Sequence, residues 1–128
     1  GEGGAPSFRF DCTGPDLAVT QFGVTRLLDI RKNEPVADSA GSALPEGAAL
    51  MGLATDKSEP NLVPASAVRN ATLGWDMTIR LPKTDPTFAG LPRAKFVTLF
   101  TTGFTLAATL DKADRRIIAA FVRQCRGE

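Results

Sequence analysis

The amino-acid sequence predicts an α+β domain: an antiparallel sheet of about five to seven strands with a C-terminal amphipathic helix packed on it. Three observations carry that expectation. Short segments alternate apolar and polar residues, the C-terminal segment repeats its apolar residues at helical spacing, and two cysteines, Cys12 and Cys125, stand near opposite ends of the chain. A length of 128 residues with 43% hydrophobic content suits a single domain over 1–128, in which 1–6 form a flexible N-terminal segment.

Taken in order, Ser7-Phe8-Arg9-Phe10-Asp11 alternates as a first strand and carries Cys12 toward the end of the chain. Val24 to Ile30 admits two readings. It is a strand, the preferred one, or the end of a helix starting at Pro15, because Leu17, Gln21, Val24, Leu27 and Leu28 also form a helical stripe interrupted by Gly23. Ala48 to Thr55 reads as another strand, and Leu62 to Val68 as a weaker one broken by Pro64. Leu73, Trp75, Met77, Ile79 and Leu81 share one face of a half-buried strand that Pro82 ends. Phe96 to Phe100 is apolar on both faces, as in a central strand, whereas Phe104 to Leu110 alternates and belongs nearer an edge. Thr101-Thr102-Gly103 between them suits a short hairpin connection. Asn33 to Gly47, Asp56 to Asn61 and Pro82 to Ala94 are rich in turn-forming and polar residues and read as loops.

The last element is the clearest. Asp111 is placed to cap a helix, Asp114 suits its positive first turn, and Ile117, Ile118, Phe121, Val122 and Cys125 recur at the spacing of one buried face. Lys112, Arg115, Arg116, Arg123 and Arg126 gather on the other side.

Two cysteines this far apart make neither a metal quartet nor a C-x-x-C redox motif, which leaves one structural disulfide or two buried free thiols. The disulfide is the preferred reading. Such bonds persist in oxidising compartments, so a periplasmic or extracellular protein of bacterial type is expected, its signal peptide removed. Gly1-Glu2-Gly3-Gly4-Ala5-Pro6 has neither the basic start nor the apolar run of a leader. No apolar stretch approaches the ~20 residues that span a bilayer as a helix.

Composition removes the commonest catalytic designs. Without histidine there is no Ser-His-Asp triad, no Cys-His pair and no histidine-ligated zinc. Acidic residues are scattered, and the closest pair, Asp111 with Asp114, is explained by the helix start. Neither Gly1-Glu2-Gly3-Gly4 nor Asp56-Lys57-Ser58-Glu59 has the context of a phosphate or calcium loop. No catalytic residue, cofactor or metal is therefore expected, and a net charge of +1 lacks the basic footprint of a sequence-reading nucleic-acid protein.

Two features remain as candidate partner sites. The basic residues Lys112, Arg115, Arg116, Arg123 and Arg126 could dock an anionic envelope component or acidic protein, or could be a solvated helix face. In the segment from Pro82 to Ala94, Phe88 and Arg93 could anchor a protein partner, or Phe88 could fold back as a lid over the core. The function expected is a non-catalytic binding or accessory module. A small-molecule or lipid carrier, with Trp75, Met77, Phe96 and Phe100 lining a cavity, is the alternative, and an enzyme with a carboxylate-based site comes third.

Overall fold

A computed structural model describes residues 8–24, 27–36, 41–70, 74–101 and 104–127. The α+β class holds, but the strands are divided among sheets. Strands β1 (Phe8–Thr13), β2 (Asp16–Val24), β3 (Leu28–Asp29), β4 (Glu34–Pro35), β5 (Leu50–Thr55), β6 (Ser58–Pro64), β7 (Ser66–Arg69) and β8 (Trp75–Pro82) come first. A short helix α1 (Pro86–Gly90), a 3₁₀ turn (Leu91–Arg93), β9 (Phe96–Thr101), β10 (Phe104–Thr109) and helix α2 (Lys112–Cys125) follow. One four-stranded sheet has the order β1-β2-β8-β7, the other β10-β9-β5-β6, and every pairing is antiparallel. Strands β3 and β4 form a separate two-stranded ribbon. Both large sheets feed one core: Leu17, Val19, Met77, Ile79 and Leu81 from the first, Met51, Leu53, Val97 and Leu99 from the second. Alternation shows that each strand buries one face, and a second sheet supplies what that face is buried against.

The chain passes from the second sheet to the first at Ala65, the single residue between β6 and β7, whose N–H donates to the Ala49 carbonyl at 3.0 Å. Pro64, expected to break a strand, stands at this corner. The region from Asp56 to Asn61 is mostly strand, since only Asp56 and Lys57 turn. Its Pro60 is tolerated because β6 lies at a sheet edge, where a missing N–H costs no ladder bond.

The ambiguity after Pro15 resolves as strand β2. A bulge between Gln21 and Val24, with Gly23 at φ 67°, shifts the phase by one residue, so that Leu17, Val19, Gln21 and Val24 are all buried. That phase shift produces the spacing that imitates a helix. Among the described residues of the following segment, Leu28 and Asp29 are strand and pair with Pro35 and Glu34.

Central β9 and edge β10 lie as expected, paired with Phe104 opposite Thr101, while Thr102 and Gly103 of their connection lie outside the described residues. Helix α2 starts on a reciprocal capping box between Asp111 and Asp114. It packs against the 3₁₀ turn, stacks Phe121 on Phe10 of β1 at 6.2 Å, and ends with Cys125 bonded to Cys12, the Cα atoms 5.7 Å apart. Lys83 Nζ donates to the Cys125 carbonyl at 2.7 Å, a cation on the negative end of the helix.

Candidate functional site

The basic residues of α2 do not form one stripe. Ile118, Val122 and Cys125 are the buried line of the helix, with Phe121 half-buried beside them. At 100° per residue, Lys112, Arg116 and Arg123 fall opposite that line and are exposed, whereas Arg115 and Arg126 flank it. Arg115 is half-buried, and the Arg126 guanidinium lies 5.6 Å from the centroid of the Phe88 ring. Ile117, expected on the buried face, is 69% exposed because it lies a further 100° from Ile118 on the flank away from Val122.

Phe88 is 0% exposed, so it is the lid over the core and not an exposed anchor. Asp85 accepts the Thr87 N–H as a cap and Pro86 opens α1, so the expected loop contains a helical turn that buries Phe88 and Leu91 three residues apart. A helix this short leaves no periodic signal in sequence. Arg93 ends the 3₁₀ turn, exposed, on the element against which α2 packs.

The carrier residues separate in the same way. Trp75 and Met77 are core residues, but Phe96 and Phe100 project from the opposite face of β9. These four line no common cavity. A cleft of about 760 Å³ lies instead at the sheet corner, lined by Leu44, Glu46, Val63 to Ser66 and Thr78 to Arg80.

The register reveals a feature that no single motif announces. On the outer face of the first sheet, Arg9 pairs with Asp11 at 2.9 Å, the Thr20 and Thr78 hydroxyls meet at 3.0 Å, and Arg80 donates to the Thr13 hydroxyl at 2.8 Å. That face is polar and charged. On the second sheet, Gly52 stands between its register partners Leu62 and Phe100, and Ala54 beside Thr98. Phe96 on β9 and Thr109 on β10 are partners, as are Thr98 and Ala107. Among the described side chains of this face there is no charge, yet Leu62 is 58% and Phe96 44% exposed. Gly52 and Ala54 make the floor of a shallow trough between Leu62 and Phe100, about 10 Å across at two strand spacings. The signal was present in Leu50-Met51-Gly52-Leu53-Ala54, apolar at every position, but it required the neighbouring strands to place the small residues between large ones.

Carboxylates with shifted titration serve structure. Asp29, held by the Arg31 side chain at 2.8 and 3.1 Å and by its N–H at 3.0 Å, is lowered from 3.8 to about 2, chiefly by the Arg31 side-chain hydrogen bonds. Asp56 is lowered by the Lys95 N–H and Asp111 by the Asp114 N–H. Among the described residues no group of three or more acidic or cysteine side chains is placed to hold a metal ion, and no helix is long and apolar enough to cross a membrane. The class defined by these features is a disulfide-tied α+β domain with one partly exposed sheet face whose described side chains carry no charge. No family model, no curated protein and no solved structure matches the chain.

Proposed function

We propose that this protein is a non-catalytic binding module acting outside the cytoplasm, in the periplasm or beyond the cell, and that it docks a protein partner on the outer face of its second sheet. The observation that carries this reading is the face bearing Leu62, Phe96 and Phe100, without charge among its described side chains, set against the charged outer face of the first sheet. Exposed apolar surface rimmed by polar residues is costly in water and is characteristic of interaction sites. The Cys12–Cys125 bond supports an oxidising compartment. Lys112, Arg116 and Arg123 are available to steer an acidic partner, but they are exposed and would act mainly on the rate of encounter.

Photocrosslinking groups placed at positions 62 and 96 in cells producing the protein test the reading. A discrete protein adduct from both, absent from position 78 on the first sheet, is expected; adducts of equal yield from all three overturn it. The corner cleft favours the small-molecule carrier as a second reading, for which a thermal shift with a ligand, abolished by substituting Arg80, is the corresponding test.

A further inference from the structure

The two large sheets have four edges, and three are blocked. Strand β1 carries Arg9 and Asp11 and is bonded to α2. Strand β7 is covered by residues 42–44: Leu44 N–H donates to Ala67, Arg69 N–H donates to Ser42, and Ala43 bridges Val68. Strand β6 lacks N–H groups at Pro60 and Pro64. Strand β10 has none of these devices. Its sequence, Phe104-Thr105-Leu106-Ala107-Ala108-Thr109, contains neither charge nor proline, and among the described residues its outer side pairs with nothing. The continuation of its ladder, Leu110 N–H to Lys95 carbonyl at 2.7 Å, shows that even-numbered residues point their main-chain groups toward β9. Thr105, Ala107 and Thr109 therefore point theirs outward, and Ala107 and Thr109 are exposed.

We propose that β10 pairs with β10 of a second copy of this chain, antiparallel about a two-fold axis at Ala107. This register places Thr105 opposite Thr109 of the second copy and Ala107 opposite its own equivalent, so all three outward residues exchange both main-chain bonds. A two-fold contact sets the residue on its axis beside its own equivalent, which penalises charge there. Strand β10 offers none to repel, and the small residue Ala107 stands on the axis. Helix α2 packs on the 3₁₀ turn and, through Phe121 and Cys125, against β1. Pairing makes one eight-stranded sheet and joins the two uncharged faces into a single surface. The inference extends the docking reading above but uses the sheet edge, not its face.

Sedimentation of the intact oxidised protein over micromolar to submillimolar concentrations tests it. The expected wild-type species has twice the 13.5 kDa of one chain. Ala107→Lys and Ala107→Asp should each be monomeric, as like charges meet on the axis, and an equimolar mixture of the two should recover the dimer. Ala107→Pro, which removes only an outward N–H, should also be monomeric with an unchanged circular dichroism spectrum. A monomeric wild type, dimeric charge variants, or a mixture that stays monomeric overturns the proposal. A dimer dissolved by Phe96→Asp but indifferent to both charge variants overturns it as well, and would assign self-association to the face. Failure at the edge leaves the crosslinking result at positions 62 and 96 to stand or fall separately.

Discussion

Asp29 is 6% exposed, yet it is ionised, because Arg31 two residues later supplies a charge-assisted grip within the turn that joins β3 to β4. Its folded pKa is depressed, so its contribution to stability is fully present above the ordinary value of 3.8 and is lost as pH falls toward about 2. Wild-type protein should therefore lose denaturant resistance through that window more steeply than Asp29→Asn, which starts less stable at neutral pH. Equal slopes in urea titrations would remove Arg31 as the cause. Neither partner stood out in sequence, because a charged pair two residues apart at the end of an expected strand looks like any solvated strand end. Gly74 shows the same limit: at φ 84°, an added Cβ would lie 2.7 Å from the Val24 carbonyl oxygen, a constraint set by a segment fifty residues away in the chain.

Elements with their own periodicity were legible, and those set by a partner were not. Strand β8, with strict alternation, and α2, with its cap and apolar line, follow from local pattern. Strand β2 was ambiguous because its bulge changes phase, and α1 was hidden because five residues are too few to repeat. The capping box at Asp111 is the element-scale feature most open to test. Asp111→Ala removes the acceptor of the Asp114 N–H and should cost about 1 kcal/mol of stability, read as a lower urea midpoint with an unchanged slope. Asp111→Asn should retain most of it.

At the scale of the molecule, sequence favoured a disulfide over free thiols, and the fold bears this out by bringing β1 beside the end of α2. The bond closes a loop of 113 residues in sequence separation, for which restricting the unfolded chain gives roughly 4 to 5 kcal/mol. Reduction, or Cys12→Ser with Cys125→Ser, should lower the unfolding free energy by that order, and the thiols should resist alkylation in denatured protein until a reductant is added. The candidate site was the least legible part. The exposed face of the second sheet depends on which strands are neighbours, and the residues that seemed poised for partners, Phe88 and Arg126, stack on each other.

The Cys12–Cys125 bridge has a mechanical consequence. Tension applied to the chain outside Cys12 and Cys125 runs through the sulfur bridge and bypasses everything from β2 to α2, so in the oxidised domain the second sheet, with the surface it presents, is shielded from load.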